Sequence, residues 1–263
     1  MLEISKTWHG LKAKEIWFAD KSVKDVQTDV LMLKGCPEEF LPSKKGFSVQ
    51  HTLHTDLTEE LAALQEKISK TFRYDIRRNE KDNVVISVYN SSQLAENDEL
   101  ISQFLTCYQN MYKEKGMNAS LTKGALIPYI NAGNMLLTVG YMEDKPIVFH
   151  SYLSDGTTAR LWHSCSNFRT DREMVNIIGR TNKRLHWEDI KLLKELGYKV
   201  YDWGGVFSVE GTDNGIDAFK KSFGGTPVDY YNGQFGCSCK GKLMLLLARI
   251  KNGTKSRKSS NIE

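Results

Sequence analysis

Three strand-like runs follow one another with almost no chain between them: Met135 to Met142 (MLLTVGYM), Pro146 to Leu153 (PIVFHSYL) and Ala159 to Ser166 (ARLWHSCS). The connections E-D-K-P and S-D-G-T-T are turn-forming and short, so the runs predict three consecutive antiparallel strands. What flanks them is equally ordered. VVISVYN (84–90) reads as a β-branched strand, and 97–115 as a helix with Leu100, Phe104, Tyr108 and Met111 on one face. A further helix is expected over 121–132. A long helical region over 171–197 ends at Gly197, a fitting glycine just past a helix end. Then come KVYDWGG as a strand, GIDAFKKSF as a short helix and TPVDYYNGQFG as a last strand. The order from residue 84 onward predicts an α/β fold, a mixed and mostly antiparallel sheet flanked by helices.

Upstream, residues 20–56 read as short strands and turns, with DVLMLKG the clearest strand and CPEEFLPSKKG a loop. Residues 57–81 read as one helix. Thr58 can cap it, although Leu61 stands where a capping box needs Glu or Gln. Leu61, Leu64, Ile68, Phe72 and Ile76 form an apolar face, and Lys70, Arg73, Arg77 and Lys81 a basic stripe opposite, either a solvated surface or an anion-facing one. Trp8, Trp17 and Trp187 are expected in the core. The chain is expected to divide into residues 1–90, residues 91–252 and a basic, frayed tail at 253–263.

With 263 residues, the chain suits one large domain or two small ones and can bury a core without disulfides. A net charge of +4 is too small to argue for nucleic-acid binding by itself. MLEISKTWHGLKAKEIW lacks the apolar core of a secretory signal, and the run Leu243 to Ala248 is too short to span a bilayer. The five cysteines include a Cys237-x-Cys239 pair with no partner pair at zinc spacing. Reduced thiols, a cytoplasmic location, no metal and no integral membrane segment are the corresponding expectations.

Tyr201-Asp202-Trp203-Gly204-Gly205, followed by Gly215-Ile216-Asp217-Ala218-Phe219-Lys220-Lys221-Ser222-Phe223-Gly224-Gly225, resembles the YDFGG … GLYxFKxxFGG signature of FemAB-like proteins. These are members of the GNAT acyltransferase superfamily and include the aminoacyltransferases that build peptidoglycan bridges. Phe72 to Arg78 is similar to the family's RxxIRKAEK helix, and Leu185 to Ile190 to its LhWxxI helix. Leu196-Gly197-Tyr198 precedes the strand as the family pattern requires, and the resemblance runs over residues 55–235. It implies a GNAT fold. Because only about 90 residues precede the complete half, it also implies an abbreviated N-terminal GNAT-like half that carries the 57–81 helix. The implied activity is N-acyl transfer from acyl-CoA to an amino group of a sugar or cell-envelope precursor, either a nucleotide-sugar or a lipid-linked acceptor. One alternative is aminoacyl transfer from charged tRNA. A second is a non-catalytic binding protein on a degenerate GNAT fold.

Such a reaction needs a donor where negative charge builds on the acyl carbonyl, and a proton acceptor for the amine. Lys220 is the candidate for the first role. It sits one helical step from the apolar row Ile216, Phe219 and Phe223, and the lysine of the matching FK pair lies near the transferred group in the family. The alternative is a lysine whose stem crosses a core helix. Candidate bases are His163, Asp202 and Glu188. Arg73, Arg77, Trp203, Gly204, Gly205 and Phe219 are expected at the substrate. CoA phosphates are expected on a helix N-terminus at Gly179-Arg180-Thr181-Asn182-Lys183, where a glycine, cap-type residues and cations coincide. An inter-helix turn is the other reading of that segment.

Overall fold

A computed structural model of the chain describes residues 1–21, 23, 26–41, 46–167, 172–206 and 215–259. They form two compact units, Met1–Gln50 with Asp229–Glu263, and His51–Val228. The division does not fall at residue 90, where the sequence reading puts it. The strand Val84–Asn90 pairs along its whole length with Met135–Met142, which makes it part of the second unit. The expected tail is not separate either, since a helix over Cys239–Ser259 takes in residues 253–259 and folds with the N-terminal strands. Residues 260–263 lie outside the described residues.

In the first unit, β1 (Leu2–Trp8) and β2 (Leu11–Trp17) form a hairpin whose two-residue turn, His9-Gly10, has positive φ at both positions. That geometry matches the twist of the flanking strands. β3 (Val30–Cys36) runs parallel to β2. The last strand, β10 (Thr226–Gly236), is antiparallel to β3 over Tyr231–Gly236. Ile16, Leu31, Leu33 and Cys36 make one buried face, and Ala13, Val30 and Met32 the other. The terminal helix α8 (Cys239–Ser259) packs on the second face through Leu245. Gly241 allows the approach, because a Cβ there would fall 1.9 Å from the Asp29 carbonyl oxygen. Ser238 fixes the helix start, accepting from Gly241 N and donating to Asp29 Oδ1 at 2.6 Å.

The second unit is built on β4 (Phe47–Asp56), β5 (Val84–Asn90), β6 (Met135–Met142), β7 (Lys145–Ser154), β8 (Thr158–Ser166) and β9 (Val200–Val206). Their order is β4-β9-β8-β7-β6-β5. Every neighbour pair is antiparallel except β8 with β9. The three consecutive strands expected from the sequence are β6, β7 and β8. The helices are α1 (Leu61–Lys67), α2 (Lys70–Asn79), α3 (Ser91–Ala95), α4 (Asp98–Glu114), α5 (Lys123–Asn131), α6 (Arg172–Glu195) and α7 (Gly215–Lys221). The core gathers Leu64, Ile68, Ile76, Trp187, Ile190, Tyr201, Trp203 and Phe223.

The expected helix over 57–81 is two helices. The chain leaves α1 at Ile68, which is 1% exposed, and Ser69 starts α2 by accepting from Phe72 N while its own N–H donates to Ser222 O at 2.8 Å. Burial of Ile68 and this backbone pairing outweigh the helical periodicity. Thr58 does not cap: its hydroxyl donates to Asp56 Oδ1, and α1 begins three residues later.

β8 and β9 pair only from Thr158/Val200 to Arg160/Asp202. Beyond that they diverge. Gly204 lies at φ +70°, and a Cβ on it would sit 2.7 Å from the Leu161 carbonyl oxygen. Only glycine fits both demands.

Candidate functional site

A cavity of about 740 Å³ opens in the second unit where β8 and β9 part. Leu161 to Ser166 form one wall and Trp203, Gly204 and Gly205 the other. Phe219 and Lys220 of α7 and Asn182 and His186 of α6 close it, with Tyr108 and Tyr112 of α4 on the β8 side.

Lys220 places its ammonium in this cavity. Nζ donates to the Gly205 carbonyl at 2.7 Å, which uses one of its three donors. Burial pushes the ammonium down to about pKa 8, reinforced by Arg160 and opposed by Asp202 and Asp217. The short helix carrying Lys220 is anchored by Phe219 and Phe223, whose rings meet Phe72 at 5.2 and 5.3 Å.

Asp202, a candidate base, is instead an anchor. It is wholly buried and does not line the cavity. Arg160 Nη1 donates to its Oδ2 at 2.6 Å, while Thr52 Oγ1 at 2.5 Å and Gly204 N at 2.9 Å donate to its Oδ1. These bonds hold β4, β8 and β9 together at the point where the last two separate. Both carboxylate oxygens are engaged by protein donors, away from the cavity lining. Trp203 is fixed in the same layer by its Nε1–H, which donates to Thr55 Oγ1 at 3.0 Å.

His163 does line the cavity, packed edge-on against Tyr108 and with Nδ1 3.2 Å from Ser151 Oγ. Burial lowers it to about pKa 4, so it is neutral at pH 7 and weakly basic. Glu188 is outside the lining, ion-paired with Lys191 at 2.6 Å.

The expected phosphate cradle at 179–184 is not a helix N-terminus. α6 is continuous from Arg172 to Glu195, so the backbone N–H groups of this segment close the helix's own i→i−4 bonds and offer nothing to an anion. Arg180 forms a two-pronged pair with Asp82 at 2.7 and 2.8 Å, and Thr181 is buried, accepting from Asn79 Nδ2. Gly179, Asn182 and Lys183 reach the cavity wall from mid-helix. Lys183 is held at 2.6 Å from Asp75 Oδ2 and lies over the Phe72 ring. Arg73 and Arg77 lie on α2 outside the lining. From that helix, Phe72 and Asp75 touch cavity residues, Phe219 and Lys183.

The structure adds a buried polar chain beside the cavity that the sequence reading lacks. Asn182 Oδ1 is 2.8 Å from His150 Nε2, and His150 Nδ1 is 2.7 Å from Asp189 Oδ2. Tyr152 Oη donates to Asp189 Oδ2 at 2.5 Å. Tyr152 and Tyr201 hydroxyls are 2.8 Å apart, and Tyr201 Oη is 2.7 Å from His186 Nδ1. The directions follow from the acceptor-only carboxylate. Tyr152 gives its one proton to Asp189, so Tyr201 donates to Tyr152, and His186 donates from Nδ1 to Tyr201. His186 is therefore the Nδ1–H tautomer, with its lone pair on Nε2. Burial, His150 and Lys220 hold it well below the ordinary histidine pKa, that is, neutral. A legible signal existed: Asn182, His186 and Asp189 stand at i, i+4 and i+7, a polar row on one face of α6. His150, Asp189 and His186 offer ligand atoms within 4.8 Å of one another; both His150 nitrogens, Asp189 Oδ2 and His186 Nδ1 are hydrogen-bonded within the chain.

No protein-family model matches the sequence, and no curated protein matches it. Solved structures do match. The C-terminal DUF2156 domain of a protein described as a lysylphosphatidylglycerol synthetase of Agrobacterium fabrum superposes with a TM-score of 0.56 at 15% identity, over 84% of this chain and 72% of that one. FemX gives 0.54 at 13% identity, over 76% and 68%. L-PGS from Bacillus licheniformis gives 0.52 at 10%, over 84% and 71%. The chain has a FemAB-like, GNAT-related fold. At these identities the likeness establishes the architecture, and the sequence signature falls where the architecture needs it. YDWGG lies in the strand that diverges from β8, and FKKSFGG begins in the last turn of α7, which delivers Lys220 into the gap.

Proposed function

We propose that the chain transfers an acyl or aminoacyl group from an activated ester to an amine inside the cavity between β8 and β9. The observation that carries this reading is the half-buried Lys220 ammonium beside Gly205, in a gap shaped by Gly204. A carbonyl lying in the gap would meet a charge-assisted donor as its oxygen becomes negative, an arrangement that commonly contributes a few kcal/mol. As the amine attacks, its proton passes to a neutral acceptor; His163 and His186 both line the cavity as neutral imidazoles, and His186 is the one whose other ring nitrogen leads into a buried hydrogen-bond chain. As Nε2 gains that proton, His186 can release its Nδ1 proton toward Tyr201, Tyr152 and Asp189, whose Oδ1 is buried with no hydrogen-bond partner among the described residues.

The finer reading is acyl-CoA as donor and an amino sugar or other cell-envelope precursor as acceptor, with Arg73 and Arg77 toward the acceptor. An aminoacyl ester of tRNA is the second reading, supported by the match to the C-terminal domain of a protein described as a lysylphosphatidylglycerol synthetase. Titration calorimetry with acetyl-CoA, longer acyl-CoAs and aminoacyl-tRNA separates them. Saturable micromolar binding of one donor class, lost on Lys220→Met in turnover but not in affinity, supports transfer. Failure of every donor to bind would return the cavity to a binding role without chemistry.

A further inference from the structure

α8 carries apolar side chains on two opposite faces. Gly241 and Leu245 face inward, Leu245 against Ala13, Val30 and Met32. Leu243, Leu246 and Leu247 are 57%, 55% and 52% exposed, and Ile250 at 56% continues the row. At about 100° per residue these four fall within an arc of about 100°, nearly opposite Leu245. Exposed Lys240 and Lys242 border that arc on its two sides. Seven of the helix's 21 residues are Lys or Arg and none is acidic.

A row of large apolar side chains with a purely cationic frame suits one kind of surface. Apolar side chains enter the boundary of a bilayer while lysines and arginines meet anionic headgroups. A second copy of the same helix would bring like charges together. No helix among the described residues is long and apolar enough to cross a membrane, so the contact is with its surface. We propose that α8 docks the protein on an anionic lipid bilayer, with Leu243, Leu246 and Leu247 in the interface and Lys240 and Lys242 at the phosphates.

The test is co-sedimentation of the full chain with vesicles of phosphatidylglycerol and phosphatidylcholine in equal parts, and with phosphatidylcholine alone. Binding is expected for the anionic vesicles, at least tenfold weaker at 0.5 M than at 0.1 M salt because exposed charges are screened. The variant Leu243→Gln/Leu246→Gln/Leu247→Gln, checked for an unchanged melting curve, should partition at least tenfold more weakly. Lys240→Gln/Lys242→Gln, at two exposed positions, should weaken partition several-fold and supplies an independent measure should the leucine variant fail to fold. No binding to the anionic vesicles, or binding indifferent to both variants, overturns the proposal. So does a concentration-dependent dimer that the leucine variant makes monomeric, since a second copy would then cover the face.

Discussion

Asp202→Ala separates an anchor from a base. The carboxylate accepts from Arg160, Thr52 and Gly204 and is wholly buried, and Arg160 is itself only 4% exposed. Removing it takes a counter-charge at 2.6 Å from a buried guanidinium, which costs about 3–5 kcal/mol in comparable pairs. For a unit the size of His51–Val228 each kcal/mol lowers Tm by about 2–4 °C, so a drop of roughly 6–20 °C is expected. The measurement is urea unfolding followed by tryptophan fluorescence, since Trp203 lies in the affected layer. The double variant Arg160→Met/Asp202→Leu removes both charges and should recover much of the loss, because a well-packed apolar pair is often as stable as a buried ion pair. Asp202 also helps keep Lys220 protonated, so in Asp202→Ala the lysine should titrate still lower. A loss below about 1 kcal/mol, with activity alone abolished, would refute the argument and restore Asp202 as a base.

Competitive labelling should place Lys220 near pKa 8 rather than in the ordinary lysine range. The ammonium needed for an oxyanion donor is then lost as pH rises through about 8, so kcat/KM should fall there. The folded state also binds fewer protons than the unfolded one above that pH, so stability should rise with pH toward the ordinary lysine value. Lys220→Met should lower kcat sharply at near-constant Tm while Lys221→Met changes little; equal small effects would make Lys220 a packing residue. Gly204→Ala should cost at least about 2 kcal/mol, from the left-handed backbone and from displacement of the Leu161 carbonyl, and should weaken donor binding by deforming the cavity wall. Nitrogen NMR should find His186 neutral and protonated at Nδ1 at pH 7, and Asp189→Asn should disturb that tautomer; an Nε2–H resonance in the unaltered protein contradicts the deduced hydrogen-bond directions.

Local rules made the second unit's skeleton legible. Turn chemistry and alternating apolar runs marked β6, β7 and β8, and a C′ glycine marked the end of α6. The paired glycines after Tyr201-Asp202-Trp203 and the Phe219-Lys220 pair pointed to the residues that line the cavity. What escaped were outcomes of long-range pairing. Periodicity ran unbroken through Ile68, but the Ser69 backbone found a better partner in Ser222, more than 150 residues away. Gly179, Thr181 and Asn182 look like a helix start in one dimension, yet their neighbours on α2 and β7 hold them in the middle of one. Asp202 looks like an exposed strand-end acid until Arg160 and Thr52 arrive from other strands. Sequence by itself determined which residues could turn, alternate or cap, because those choices depend on a few neighbouring torsions. Tertiary structure alone decided which polar groups are consumed as anchors and which are left facing the cavity, because that depends on partners the chain brings together only by folding.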